Sequence, residues 1–173
     1  CQHVWKLASQ IFDELKAVHG VPEKYKSLLM VATLLHDIGR FVSDVSYHKH
    51  TYYLLRNIDF TFLSEREKLM VATLARYHRK SPPKPDHEGY KELDANEKKI
   101  VDPLASILRL ADSLDAFHDQ SVNWVKCQWG PGQVRIGVDL SVGARLDPAT
   151  IADKSKFFES LHKVQVNVVP LQS

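Results

Sequence analysis

Cysteine is nearly absent from this sequence, which contains only Cys1 and Cys127 among its 173 residues. Two cysteines cannot form the disulfide framework that stabilises small secreted domains, so we expect a reducing, cytoplasmic compartment. Long apolar runs are absent as well, because no stretch approaches the ~20 residues that a membrane span needs. No secretory signal pattern opens the chain. A membrane protein is therefore not expected.

A strong charge of either sign is also missing. The formal net charge is +2, which is too small to indicate nucleic-acid binding by overall electrostatics. With 44% hydrophobic and 25% charged residues, the composition is typical of a globular protein with one core, or one core and a small appendage. The chain starts at Cys1 and runs directly into a helical pattern, so we expect a piece of a longer protein.

Helical periodicity dominates the first two thirds of the chain. Val4, Leu7 and Ile11 recur at helical spacing, and Ser64 with Glu67 forms the capping-box pattern that opens a helix. Three prolines and a glycine make residues 81–90 a loop. The predicted helices cover residues 1 to about 19, 23–37, 49–57, 64–79 and 96–118.

The pattern changes after residue 120. Residues 122–129 and 133–140 are rich in β-formers and are separated by Gly-Pro-Gly, which predicts a hairpin. A helix over 149–162 and a strand over 164–169 complete a ββαβ unit. The predicted fold is therefore mostly α, with a helical domain over residues 1–120 and a small C-terminal α+β unit over 121–173.

Several apolar helix stripes of the first domain run into a histidine or a carboxylate. Burying such groups without partners costs several kcal/mol, and a shared cation would reconcile them. Each residue also has a simpler interpretation, as a hydrogen-bonded core histidine, an ion pair with Arg109, or part of a solvated basic face. The doublet at residues 36 and 37 is the hardest to explain without a metal. The polar members of the stripes are His3, His36, His78, Asp112 and Asp115.

These residues resemble the H…HD…D signature of the HD phosphohydrolase superfamily. Two further segments, His48 to Leu54 and Ala75 to Ser81, resemble the C-terminal HD-type domain of the exopolyphosphatase / guanosine pentaphosphate phosphatase family. The resemblance covers nearly all of residues 1–120 and, more loosely, the tail. The matching positions are His3, Leu34 to Arg40, and Leu110 to Asp115, with Arg40 in place of the lysine common after HD-x-G.

The resemblance implies a divalent metal bound by His3, His36, Asp37 and Asp112, with Asp37 and His36 as the catalytic pair. Dinuclear relatives add histidines, for which His50 and His78 are the nearest candidates and His48 competes with His50; we expect a mononuclear site. Mn, Mg, Fe, Co, Ni and Zn all remain open. The cofactor is thus predicted only as a divalent ion.

The implied activity is a metal-dependent phosphohydrolase acting on phosphate esters or anhydrides, such as polyphosphate or guanosine pentaphosphate. The ion would activate a water and polarise the phosphoryl group, while nearby cations hold the other phosphate oxygens. Those cations can equally be ordinary surface charges. The candidates for substrate binding are Lys49, Arg76, Arg79 and Lys80.

An alternative role is open, because the best-understood chemistry of the exopolyphosphatase family belongs to an N-terminal actin-like domain. In that case this chain is an accessory domain that binds polyphosphate or mediates dimerisation. The expected partner is a phosphate-containing small molecule or polyphosphate, with neither membrane nor specific nucleic acid. An exposed strand edge in the ββαβ unit would favour a homodimer.

Overall fold

The computed structural model describes residues 1–171, in which the chain forms seven α-helices and one three-stranded sheet. The predicted mostly helical fold with a small C-terminal strand unit is confirmed. No helix in this range is long and apolar enough to cross a membrane. The elements are α1 (Gln2–Glu14), α2 (Lys16–His19), α3 (Lys26–Leu35), α4 (Tyr47–Asn57), α5 (Glu65–Arg76), α6 (Ala95–Leu114), β1 (Val122–Gly130), β2 (Gln133–Leu140), α7 (Pro148–His162) and β3 (Gln165–Pro170), with short 3-10 helices at Glu23–Tyr25, Ile38–Phe41 and Tyr90–Glu92.

The chain divides into two compact units, and the division falls inside α6. The first, which we call the helical unit, comprises Cys1 and Val21–Ala105. The second, which we call the mixed unit, comprises Gln2–Gly20 and the chain from Ser106 onward. Helix α1 therefore belongs to the same compact unit as the strands, whereas the sequence predicted a domain boundary at residue 120. That boundary concerns domains rather than compact units, and it stays a prediction.

In the helical unit, α5 packs against both α3 and α4. Its central residues are buried on every side, as expected for a helix that contacts two neighbours. The predicted capping box is present: the Ser64 hydroxyl accepts from the Glu67 amide, and the Glu67 carboxylate accepts from the Ser64 amide. The beginning of α5 is fixed by this motif.

In the mixed unit, β1 and β2 form the predicted antiparallel hairpin and β3 pairs in parallel with β2. Helix α7 makes the crossover that a parallel connection requires. The turn between β1 and β2 contains Pro131 and Gly132, and Gly132 has φ +71°, where glycine is favoured. The buried face of β2 carries Val134, Ile136 and Val138.

Helix side chains bind backbone groups at both outer strands of this sheet. Gln10 Oε1 of α1 accepts from the Val125 amide of β1 at 3.1 Å, and a Glu14 carboxylate oxygen accepts from the Cys127 amide. On β3, Glu159 of α7 accepts from the Val166 amide at 2.8 Å. Edge amides that would otherwise be free to pair with another strand are thereby occupied. The homodimer stays a prediction.

Four helix boundaries were predicted wrongly. The first helix is interrupted at Leu15, α3 ends at Leu35, α5 ends at Arg76 and α6 ends at Leu114. The long helix stops there because the Asp115 carboxylate accepts from the Gln120 amide, and His118 has φ +53°. At the ends of α3 and α5, histidine side chains bond the last helical carbonyls in place of a continuing helix, and both histidines are candidate ligands.

Candidate metal and phosphate site

Two helices of the helical unit end close to histidines that cap them. His36 follows α3 directly, and its Nδ1–H donates to the Thr33 carbonyl oxygen at 2.6 Å. His78 lies two residues beyond α5, and its Nδ1–H donates to the Ala75 carbonyl oxygen at 2.7 Å. The last carbonyls of a helix lack partners within it, so these side chains satisfy them. Because a carbonyl only accepts, Nδ1 of each ring carries a proton, and Nε2 of each ring is left to interact with Asp37.

Asp37 faces the Nε2 atoms of both rings. Its Oδ1 is 3.7 Å from His36 Nε2 and 3.7 Å from His78 Nε2, and the two rings lie 4.8 Å apart, edge to face. Within residues 1–171 this buried oxygen has no hydrogen-bond partner. A carboxylate oxygen without a hydrogen-bond partner thus lies beside two imidazole nitrogens, and a shared proton or cation would compensate its buried charge.

The donor set fits a divalent metal. Imidazole nitrogen and carboxylate oxygen together suit Mn, Fe, Co, Ni and Zn, and a backbone carbonyl that orients the other ring nitrogen is typical of ligating histidines. Three of the residues suggested by the sequence, His36, Asp37 and His78, therefore lie together. His36 and His78 are almost fully buried, and Asp37 is partly exposed.

Cys1 adds a ligand type that the sequence did not indicate. Its Sγ belongs, with one donor atom each from His36 and Asp37, to a group whose members all lie within 4.8 Å of one another. Cys1 is exposed and precedes the first apolar stripe, so periodicity gives no signal for it. A thiolate in the donor set would shift the preference toward softer ions such as zinc.

Gly39 ties the segment after Asp37 to α4. The Gly39 amide donates to Thr51 Oγ1 at 3.0 Å, and the same hydroxyl donates to the His36 carbonyl oxygen at 2.9 Å. A Cβ atom at residue 39 would lie 2.1 Å from the Tyr47 carbonyl oxygen, so only glycine permits this approach. The Thr51 hydroxyl and the absence of a side chain at Gly39 therefore fix the position of the His36-Asp37 doublet relative to α4.

Tyr47, at the start of α4, lies beside the three donors and was not identified from the sequence. Its hydroxyl is 3.2 Å from His78 Nε2, to which it donates, and it accepts from Arg40 at 3.2 Å. The guanidinium carbons of Arg40 and Arg79 lie 4.3 and 4.4 Å from the centre of its ring. Burial and then the Asp37 charge raise the pKa of Tyr47, so the phenol is protonated at neutral pH.

A basic concavity of about 240 Å³ opens in the helical unit. All four cations predicted to bind substrate contribute to it. Burial, followed by the charges of Arg79 and the other three cations, lowers the pKa of His48 to about 4. His48 is therefore neutral there, and its Nδ1 is buried without a hydrogen-bond partner among the described residues. The concavity is lined by His48, Lys49, Arg76, Tyr77, Arg79, Lys80, Ser81 and His87.

The four cations differ in how far they are already paired. Arg76 donates to the Glu88 carbonyl oxygen at 3.3 Å, lies 3.6 Å from the Glu88 carboxylate and packs near the Tyr52 ring. Within residues 1–171, Arg79 and Lys49 have no carboxylate partner within salt-bridge distance. Electrostatic attraction for an anion is therefore greater near Arg79 and Lys49 than near Arg76.

His50 lies half-buried on α4, and no hydrogen bond or ion pair in residues 1–171 joins it to the three-donor group. His48 instead contributes to the basic concavity. A second metal, and which of these two histidines would bind it, stays a prediction.

The other two predicted ligands belong to the mixed unit. His3 lies on α1, and its Nε2 is buried without a hydrogen-bond partner in the described part of the chain. Asp112 lies buried on α6 and forms an ion pair with Lys154 of α7, with the Arg109 charge nearby. Lys154 was missed because it is 42 residues away in the sequence. The ligand roles of His3 and Asp112 stay predictions.

Comparisons with known proteins match the chain to a family and to several curated relatives. Residues 1–135 match the family described as Ppx/GppA phosphatase, domain III. Over 110 residues the chain is 29% identical to a protein of Pseudoalteromonas translucida named guanosine-5'-triphosphate,3'-diphosphate pyrophosphatase. This match covers 62% of the chain and 20% of the relative, so the chain spans about a fifth of that relative's length.

Proposed function

Since the chain belongs to the Ppx/GppA phosphatase domain III family, as its motifs predicted, we propose that it is a divalent-metal-dependent phosphohydrolase domain acting on phosphate esters or anhydrides. Polyphosphate and nucleotides such as guanosine pentaphosphate are the proposed substrate classes. The observation that carries the proposal is the buried Asp37 Oδ1, which lies 3.7 Å from Nε2 of both His36 and His78 and has no hydrogen-bond partner in residues 1–171.

Each residue has a definite task in this proposal. Asp37, His36 and His78 hold the ion, and His3 and Asp112 are added as ligands by the family resemblance. A divalent ion bound there supplies Lewis-acid activation of water and polarisation of a phosphoryl oxygen. Lys49, Arg76, Arg79 and Lys80 hold phosphate oxygens that are not being attacked. Backbone carbonyls accept from Nδ1 of both imidazoles and so orient Nε2 of each ring toward Asp37.

A second candidate function is a polyanion-binding accessory domain of a longer protein. Two observations favour it: four cations line the basic concavity, and Lys154 already neutralises Asp112. Under this alternative, polyphosphate affinity falls steeply with salt and does not depend on a metal.

Metal analysis separates the two functions. We expect the purified chain, incubated with Mn, Ni or Zn and dialysed, to retain close to one ion per chain by mass spectrometry. Asp37→Asn keeps the shape of the side chain but removes its charge, and it should lose the ion, as should His36→Ala. The matched control is Asp59→Asn, which removes the charge of an exposed carboxylate in the same unit and should retain the ion.

Phosphate release from tripolyphosphate and from a nucleoside triphosphate should follow metal content across the same variants. A parent protein without metal after all three incubations would overturn the enzyme proposal and leave the accessory domain. A parent that binds metal but releases no phosphate from either substrate would retain the metal site and overturn the activity.

A further inference from the structure

Two arginines that are far apart in sequence are held on one tyrosine ring. The guanidinium carbon of Arg40 is 4.3 Å from the Tyr47 ring centre and that of Arg79 is 4.4 Å from it. By the sum of these distances, the two guanidinium carbons are at most 8.7 Å apart. The Tyr47 side chain is held in place by burial, with only 6% of the residue exposed. Tyr47 therefore acts as a rigid platform for two positive charges.

The positive charge on this platform is only partly compensated. Arg40 contacts carboxylates on one side, with Nε 3.4 Å from Asp37 and a terminal nitrogen 3.3 Å from Asp44. Arg79 has no carboxylate within salt-bridge distance in residues 1–171. Bringing two guanidinium groups together costs electrostatic energy, and an anion accepted by both would offset that cost. The pair thus has the properties of an anion site that is formed in advance.

The position of the platform indicates which anion it receives. The Tyr47 hydroxyl donates to His78 Nε2 and Arg40 contacts Asp37, while Arg79 lies on the ring of the same tyrosine. A guanidinium presents parallel N–H groups that match the oxygens of a phosphoryl group, and stacking on an aromatic ring fixes the plane of the fork. A lysine ammonium group carries the same charge but lacks the planar arrangement of parallel N–H donors.

We propose that Tyr47 is a positioning residue that holds Arg40 and Arg79 as a two-guanidinium clamp for a phosphoryl group beside Asp37, His36 and His78. This inference rests on the proposed function for the identity of the ligand, and it adds Arg40 and Tyr47 to the residues that bind phosphate. Tyr47 acts through the arginines, because its ring orders them and its hydroxyl is engaged by His78 and Arg40.

The test measures pyrophosphate binding by isothermal titration with metal removed by chelation, so the result does not depend on the metal site. Tyr47→Leu changes no charge but removes the ring, and we expect at least tenfold weaker binding. Tyr47→Phe keeps the ring and should stay within about threefold of the parent. Tyr53→Leu is the matched control, because Tyr53 lies on the same helix and is 67% exposed; its affinity should be unchanged.

A second variant decides the matter if Tyr47→Leu does not fold. Arg79→Lys retains the charge at a half-buried position but loses the planar fork, and we expect at least fivefold weaker binding. Parent-like affinity in Arg79→Lys, or in a folded Tyr47→Leu, would overturn the clamp while leaving the metal proposal intact. Loss of metal in the experiment on Asp37→Asn has no bearing on this measurement, so the two failures are distinguishable.

Discussion

Replacing Gly39 by alanine tests whether close backbone contact positions the His36-Asp37 doublet. A Cβ atom there would lie 2.1 Å from the Tyr47 carbonyl oxygen and 2.4 Å from the Thr51 amide nitrogen. Both neighbours are backbone atoms of α4, so no side-chain rotation relieves the overlap. The residue and the helix must move apart, and the Gly39–Thr51 hydrogen bond of 3.0 Å lengthens or breaks.

The expected cost follows from these two losses. Overpacking at a buried position costs about 1–3 kcal/mol. A disrupted buried hydrogen bond costs about 1–3 kcal/mol in addition. Alanine recovers up to about 1 kcal/mol by restricting the unfolded chain. We therefore expect Gly39→Ala to lower the free energy of unfolding by about 3 kcal/mol.

Urea unfolding followed by circular dichroism at 222 nm measures this cost, because all three tryptophans lie in the mixed unit and their fluorescence would report that part. Gly130→Ala is the control, since a Cβ at that position meets no atom within 4 Å. Its free energy of unfolding should change by less than about 1 kcal/mol. Equal unfolding midpoints for the two variants would refute the idea that glycine is required for this contact.

Two further predictions concern the mixed unit. Burial, then the neighbouring His19, lowers the pKa of His162 to about 4 from an ordinary value of 6.5, so the unfolded chain takes up the proton first. Stability should therefore fall as the pH drops from 6.5 toward 4, by about 1 kcal/mol after allowing for solvent screening, and His162→Leu should flatten that part of a stability–pH curve. Lys154→Met should lower the free energy of unfolding by about 3 kcal/mol, because it removes the cation paired with the buried Asp112 carboxylate. Lys156→Met, in an exposed pair, should change it by less than about 0.5 kcal/mol by denaturant titration, and equal effects of the two lysines would contradict this account.

The parts of the fold that the sequence predicted are those governed by local periodicity. The ββαβ order follows from alternation on each side of a Gly-Pro-Gly turn, and the start of α5 follows from Ser64 and Glu67. Helix ends were predicted less well, because the apolar pattern continues past them. His36 and His78 end their helices by binding carbonyls through Nδ1. The spacing of apolar residues does not reveal such side-chain hydrogen bonds.

The site was predictable where a motif carries its own chemistry. The His36-Asp37 doublet stands at a helix end, and two adjacent ligands there are hard to explain as core residues. Tyr47 gives no such signal, since a tyrosine near the start of an amphipathic helix is typical of packing. Lys154 is separated from Asp112 by the whole hairpin, so its pairing depends on tertiary structure alone.

The side chains that bind the outer strands have a consequence for how the protein is made. Gln10 and Glu14 precede their strand partners by 115 and 113 residues, so they leave the ribosome long before β1 exists. When β1 emerges from the ribosome, the acceptors for its outer amides, Gln10 and Glu14, have already been synthesised. The acceptor for β3 is Glu159 of α7, the helix that immediately precedes this strand. A chain that lacks residues 1–14 would still contain the hairpin, but the outer amides of β1 would have no acceptors from α1. Such a product should collect in inclusion bodies even though every strand residue is intact.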